Sequence, residues 1–406
     1  MLDPHLRLRI PYWCETDRII RMHFEEPERY ARQLALPGFG VAGQSRLGGA
    51  RILVVGAGGL GSAVLPLLAS AGVGTIGVID DDLVELSNLH RQPIHGTKDV
   101  GRSKVDSAAE TLADLNPRTT VFPIDDRLTS SNALELFAQY DLVLDGSDNF
   151  PTRYLANDAA ALVGIPLVWG AVSQYSGQTG VAWAASGPQY RDLFPTPPKP
   201  GSVLSCAEGG VMPTVCSVIG SIMATEALKL LAGIGEPLVG RVVTFDAMSG
   251  SFRELPYQRD PSAAPITGLI DYEAFCGVSP ALATGGTANA VGRQEPDQVS
   301  LRDEISAKQL ASELDAGNPV TLIDVREPWE AAIVSLPGSI LIPLGDLEES
   351  VPELPADRLV VAYCHRGIRS EHALAILRAA GITNARHLAG GIDSWSVDVD
   401  SALARY

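Results

Sequence analysis

The stretch Arg51-Ile52-Leu53-Val54-Val55-Gly56-Ala57-Gly58-Gly59-Leu60-Gly61 decides the fold. Its first five residues form a short apolar run rich in β-branched side chains, the pattern of a buried strand. The glycines that follow suit a tight turn. Residues 61–71 then predict a helix closing at Gly72, with Pro66 either kinking it or marking a later start. Residues 75–80, 142–145 and 167–170 repeat the strand pattern with helical segments between them. Residues 29–48 read as a helical lead-in. Alternation of this kind predicts an α/β fold on a mostly parallel, twisted sheet.

A glycine turn between strand and helix lets backbone N–H groups approach phosphate, and the helix N-terminus favours negative charge. Alone it marks many α/β proteins. Here Asp80 ends the next strand about 20 residues on, where a ribose-binding acid sits. That much suits ATP and NAD equally. The remaining residues tilt the reading to ATP. Asp82 and Asp148 are hard oxygen ligands suited to Mg²⁺. Arg91 and Lys104 are cations suited to a polyphosphate whose charge grows in the transition state. Each charge taken singly suits a solvated surface. A hydride-transfer enzyme, however, needs no such ordered set.

The bulk numbers bound the alternatives. A chain of 406 residues exceeds one typical core, so two domains are expected. Hydrophobic content of 46% and charged content of 19% describe an ordinary globular protein. A net charge of −17 argues against a nucleic-acid partner. The five cysteines include no C-x-x-C pair, so neither a disulfide framework nor a zinc site is expected, and a reducing cytoplasm fits. The N-terminus has no signal-peptide core. Residues 211–231 are apolar, but Glu226 and Lys229 interrupt them, which predicts a buried helix and no membrane span.

Composition shifts after Cys276, and residues 278–298, rich in Ala, Gly, Thr and Pro, read as a linker. The expected boundaries are a first domain over 1–277, a linker over 278–300 and a smaller α/β domain over 301–406. Strands are predicted at 322–325 and 359–363, and an amphipathic helix at 370–380 ending at Gly381. Between strand and helix lies Cys364-His365-Arg366-Gly367-Ile368-Arg369. Such a loop can turn its N–H groups inward as an anion nest, lowering a thiol pKa and steadying a persulfide. Arg366 and Arg369 add positive charge. A second cysteine, Cys206, follows a proline-rich crossover or lid at 195–200. It is either a catalytic thiol or a buried inert one. Cys14, Cys216 and Cys276 read as structural.

Arg29-Tyr30-Ala31-Arg32-Gln33, Gly56 to Gly61, Asp80-x-Asp82, Ser87-Asn88-Leu89-His90-Arg91-Gln92, Lys104 and Asp148-Asn149 resemble the MoeB/ThiF family of ubiquitin-activating-like adenylyltransferases. The match covers about residues 28–276 of a Rossmann-like domain. The resemblance implies adenylation of the C-terminal Gly-Gly carboxylate of a ubiquitin-like sulfur carrier. It implies nucleotide binding by Gly56, Gly58, Gly59, Gly61 and Asp80, with Ser87, Asn88, Leu89, His90, Arg91 and Lys104 around the phosphates. Asp148 would hold Mg²⁺ beside Asn149. Arg32 would reach a partner subunit's site, implying a homodimer. Many members carry two C-x-x-C pairs for zinc, which this chain lacks, so no zinc is expected.

Residues 305–395 resemble a rhodanese domain, through Leu322-Ile323-Asp324-Val325-Arg326, Pro337-Gly338, the Cys364 loop and Gly390-Gly391. Where many rhodaneses have Gly-His-Ile-Pro-Gly, this chain has Val334-Ser335-Leu336-Pro337-Gly338. The fused arrangement resembles the MoeZ type of adenylyltransferase–sulfurtransferase. The resemblance implies a Cys364 persulfide supplied by a cysteine desulfurase or thiosulfate, and a thiocarboxylate product. The rival readings are conjugation through a Cys206 thioester, a binding-only rhodanese scaffold and an NAD oxidoreductase.

Overall fold

The computed structural model describes residues 28–198, 209–277, 303–355 and 358–405. Cys14, Cys206, residues 199–200 of the proline-rich loop and the linker at 278–300 lie outside them. The described residues fall into two compact units, divided between residues 277 and 303.

The first unit is built on an eight-stranded sheet ordered β3-β2-β1-β4-β5-β6-β7-β8. Its strands are β1 (Arg51–Val55), β2 (Thr75–Ile79), β3 (Thr120–Ile124), β4 (Leu142–Asp145), β5 (Leu167–Ser173), β6 (Ser176–Ala182), β7 (Arg241–Asp246) and β8 (Ser251–Pro256). The run from β3 to β5 is parallel. From β5 to β8 every pairing is antiparallel, an extension that the strand–helix alternation did not announce. Tight connections such as Ser173 to Ser176 permit antiparallel neighbours without a crossover helix.

Side chains alternate across β1. Ile52 and Val54 enter one core, and Leu53 and Val55 the other, so both faces are covered as a parallel strand requires. Each such buried side chain contributes about 1.5–3 kcal/mol. The predicted helix starts at Gly59 and runs to Ser70 with Pro66 inside it. Helix Pro213–Ala232 is the described helix long and apolar enough to cross a membrane by length and composition. It packs instead on helix Gly59–Ser70 and on β5 and β6. Its buried Glu226 accepts the Leu238 N–H at 2.8 Å and pairs with Lys229 at 2.6 Å.

The second unit holds a five-stranded parallel sheet ordered β11-β10-β12-β13-β9. These are β9 (Glu304–Ile305), β10 (Val320–Asp324), β11 (Ile340–Leu341), β12 (Leu359–Tyr363) and β13 (Ala385–Leu388). Helix Ile368–Ala379 follows β12. Cys364 continues the alternation of β12, joining Val360 and Ala362 in one core while Val361 and Tyr363 face the other.

Candidate functional sites

In the first unit the strand order changes direction at β1, flanked by β2 and β4, and the glycine turn leaves β1 at its carboxyl end. Gly56 takes φ +93°, a conformation that favours glycine. A Cβ on Gly61 would lie 2.1 Å from the Gly56 oxygen, so the turn closes only with glycine there. Asp80 Oδ2 accepts the Ala57 N–H at 2.7 Å, and Oδ1 accepts the Asp82 N–H at 2.9 Å. Burial raises the Asp80 pKa, and the nearby Lys104 opposes that shift.

Lys104 is buried at the start of helix Lys104–Leu115, and its Nζ reaches the exposed Asp82 Oδ2 at 2.6 Å. Asn88 is buried and its Oδ1 accepts the Glu85 N–H at 3.2 Å. Its Nδ2 lies 3.4 Å from Ser87 Oγ. Arg91 Nη1 donates to the Ser87 carbonyl at 3.1 Å and to His90 Nε2 at 2.9 Å. Burial, then the Arg91 charge, push the His90 pKa down. Of this group, Arg91 reaches the turn, its Cδ 3.9 Å from where a Gly59 Cβ would stand, while Asp82 and Lys104 meet beside Asp80.

The carboxyl end of β4 lies beside the glycine turn, with the Gly146 oxygen 3.2 Å from where a Gly56 Cβ would stand, and Asp148 follows two residues on. Val55 pairs in register with Asp145, and the Gly146 N–H donates to the Val55 carbonyl at 2.9 Å. Asp145 is fully buried. Its Oδ1 accepts the Ser147 N–H at 2.9 Å and the Ser147 Oγ–H at 2.6 Å. Arg153 donates to the Ser147 carbonyl at 2.9 Å. Asn149 caps helix Phe150–Val163 by accepting the Thr152 N–H at 2.9 Å. Asp148 is the exposed carboxylate between these two clamped neighbours. Burial raises the Asp145 pKa, against the pull of Arg153. Asp82 and Asp148 are hard oxygen donors of the kind Mg²⁺ takes, but the carboxylates that stand together among the described residues are Asp80, Asp81 and Asp82, without Asp148. Arg32 is exposed on the short helix Ala31–Leu34.

Sequence reasoning missed Asp145, Arg153 and His95. The first two were visible only as flanks of Asp148. His95 sits in a stretch without periodicity, and only its hydrogen bonds single it out.

In the second unit Cys364 is 2% exposed, and its Sγ accepts the Gly367 N–H at 3.1 Å. Gly367 has φ +103° and stands just before helix Ile368–Ala379. Ser370 Oγ donates to the Gly367 carbonyl at 2.9 Å. The loop carbonyls of Cys364 and His365 accept N–H groups of Ile392 and Asp393 at 2.9 and 3.1 Å. Burial, then Arg366, push the His365 pKa down.

Arg369, in the first turn of helix Ile368–Ala379, is held by the buried Glu330, which accepts from both its terminal nitrogens at 2.6 and 2.8 Å, and its charge still helps push the His365 pKa down. The bidentate pair offsets part of the positive charge expected there. Arg366 is exposed. A buried triad also stands behind the loop. Arg326 Nε donates to Asp324 Oδ1 at 2.8 Å, and its guanidinium lies 5.5 Å from the Tyr363 ring centre.

The ThiF family matches residues 30–265, and a rhodanese-like domain matches residues 306–398. A probable adenylyltransferase/sulfurtransferase MoeZ of Mycobacterium tuberculosis is 47% identical over 388 residues, spanning 94% of this chain and 96% of the relative. A sulfur carrier protein adenylyltransferase of Thermus thermophilus is 53% identical over 268 residues, 63% of this chain and 98% of the relative. Among solved structures, E. coli MccB superposes with a TM-score of 0.53 at 20% identity. It covers 60% of this chain and 73% of that one, and it supports the fold alone. MccB with ATP gives 0.51 at 21% identity over 58% and 73% of the two chains. The chain belongs to the ThiF family, with its ThiF adenylyltransferase domain fused to a rhodanese-like domain.

Proposed function

We propose that this chain adenylates the C-terminal glycine carboxylate of a ubiquitin-like sulfur-carrier protein and then delivers sulfur to it from Cys364. The observation that carries the reading is the pairing of two anion cradles in one chain. One is the glycine turn fixed by Asp80 through Ala57, and the other is the Cys364 loop whose sulfur meets the Gly367 N–H.

In the first step a carrier carboxylate oxygen attacks the α-phosphorus of ATP, and pyrophosphate leaves. A carboxylate is already ionised at neutral pH, so no side-chain base is required. The N–H groups of the glycine turn, with Ser87, Asn88, Arg91 and Lys104, hold the phosphates, and Asp80 takes the ribose. Asp82 and Asp148 would hold Mg²⁺, which supplies charge neutralisation on the polyphosphate when bound. In the second step the terminal sulfur of a Cys364 persulfide attacks the acyl carbon, and AMP leaves. The product is an acyl disulfide. A second thiol, Cys206 or an external one, attacks the Cys364 sulfur and releases the thiocarboxylate, and a further external thiol reduces the disulfide left on Cys364 to the thiolate. The donor that recharges Cys364 is a cysteine desulfurase or thiosulfate.

The reading includes a cytoplasmic setting and a homodimer in which Arg32 completes the partner's phosphate site. Co-expression of Arg32→Ala with Asp148→Ala chains tests the dimer. One composite site would then hold both residues, and exchange activity returns only if Arg32 acts across subunits. No structural zinc is expected, and about one tightly held zinc per chain on elemental analysis would refute that. The deciding experiment is the mass of a Gly-Gly-ending carrier after incubation with the enzyme, ATP and a persulfide donor. Exchange of one oxygen for sulfur supports the reading. An unmodified carrier, with no labelled pyrophosphate exchanged into ATP, overturns it.

A further inference from the structure

His95 lies outside every role assigned above, yet both of its ring nitrogens are committed. It is buried, with Nε2 3.0 Å from the Ala57 carbonyl and Nδ1 2.9 Å from Ser107 Oγ. A carbonyl can only accept, so Nε2 carries the proton. Ser107 Oγ, at the other nitrogen, also lies within hydrogen-bond reach of the buried Asp99, so the hydroxyl links the ring to a carboxylate. Burial pushes the His95 pKa down, against the Ala57 hydrogen bond and the Asp99 charge. Lys104, which lowers it further, is the first residue of the helix that also carries Ser107.

Ala57 is therefore gripped from both sides. Its N–H is taken by Asp80 at 2.7 Å, and its carbonyl by His95 at 3.0 Å. Ala57 stands between Gly56 and Gly58, within the turn whose N–H groups face the phosphates. The peptide planes on either side of it set where those N–H groups point. Ser107 lies one helical turn beyond Lys104, so the same side chain ties the glycine turn to the helix bearing the phosphate lysine.

We infer that His95 is a positioning residue for nucleotide binding, an imidazole brace that holds the glycine turn and the Lys104 helix in one fixed arrangement. The inference rests on reading the turn as an ATP site. It predicts a loss in ground-state ATP affinity, because the brace acts on the turn before any bond changes. The chemical step, carried by other groups, is spared.

The test uses the full-length chain, ATP with excess Mg²⁺, calorimetry and pyrophosphate exchange with a carrier. His95→Leu is expected to raise the Kd for ATP roughly tenfold, in line with one lost buried hydrogen bond, while kcat at saturating ATP stays within about threefold. His95→Gln can place an amide N–H near the position of Nε2–H and is expected to stay within about twofold of wild type. Thiosulfate sulfurtransferase activity of the Cys364 unit serves as an internal control and is expected to be unchanged. If His95→Leu does not fold, Ser107→Ala removes the anchor of the ring alone and is expected to raise the Kd about threefold. The inference is overturned by an unchanged Kd in the folded variant, by a fall in kcat without a change in Kd, or by a Gln variant as weak as Leu. A wild-type chain that binds no ATP overturns the ATP reading itself. A wild type that binds ATP beside a variant that binds equally well overturns only the role of His95.

Discussion

The two anion cradles share a plan and differ in where their charge comes from. Each is a loop between a parallel strand and a helix, at the carboxyl end of a strand inside its sheet. In the nucleotide turn, glycine clears space for the backbone, and the cations come from distant segments at Arg91 and Lys104. At the Cys364 site, Arg366 lies in the loop and Arg369 in the first turn of the helix that follows, where Glu330 pairs with it. On the proposed reading, the cradle for a polyphosphate draws its cations from several elements, and the cradle for one sulfur has its charge offset in part by a buried carboxylate.

That contrast is broken most severely at the two chemical centres. Cys364→Ala should abolish sulfur transfer and thiocarboxylate formation while leaving pyrophosphate exchange intact. Equal loss of exchange would show that the cradles do not work separately. Asp148→Ala should lower exchange by about a hundredfold or more, because polyphosphate charge is left uncompensated, and should leave thiosulfate sulfurtransferase activity unchanged. A small effect on exchange at saturating Mg²⁺ would remove Asp148 from the metal's ligands.

Gly61→Ala sharpens the steric half of the comparison. Its new Cβ would meet the Gly56 oxygen at 2.1 Å, so the turn must shift. The expected cost is about 1–3 kcal/mol, read as a lowered unfolding midpoint with weakened ATP binding. Unchanged binding and stability would mean the turn is softer than its geometry implies. Glu330→Gln probes the offset charge. It keeps the shape but weakens a charge-assisted bidentate contact, and should lower sulfur transfer about fivefold and the stability of that unit by ~1–3 kcal/mol. An unaltered turnover would make the pair purely architectural.

The smallest effect is at Cys276, whose thiol burial pushes up to about 11 from an ordinary value of 9.0. At pH 8 roughly one molecule in a thousand would hold it as thiolate, so it should alkylate far more slowly than an unhindered thiol. The folded chain retains this proton where the unfolded chain loses it. That contribution to stability is present below about pH 9 and is lost as pH rises toward 11. Rapid labelling of Cys276 in the folded protein at pH 8 would contradict this.

Much of the plan was legible in the sequence because it is local. β1, β4 and β12 follow the predicted runs closely, since a buried parallel strand is a short, continuous apolar word. The glycine turn and Asp80 could be read from spacing, and Lys104 from the resemblance. What escaped was long-range. Nothing near Arg369 in sequence reveals that Glu330 will engage it, and nothing near Ala57 reveals His95. The antiparallel extension of β6 to β8 also escaped, since β8 has a largely exposed face and little apolar periodicity to mark it.

Gly391 gives the Cys364 loop its electrical polarity. At φ +61°, a Cβ there would press on the Cys364 and His365 oxygens at 2.4 and 2.3 Å. Without it, the start of helix Gly391–Asp398 comes close enough for its N–H groups to take up both carbonyls. A trans peptide points its N–H opposite to its C=O, so the amides of His365 and Arg366 are turned away from that helix. One face of the loop thus carries its oxygens and the other its hydrogens. A glycine far along the chain from the cysteine decides which face is left for an incoming anion.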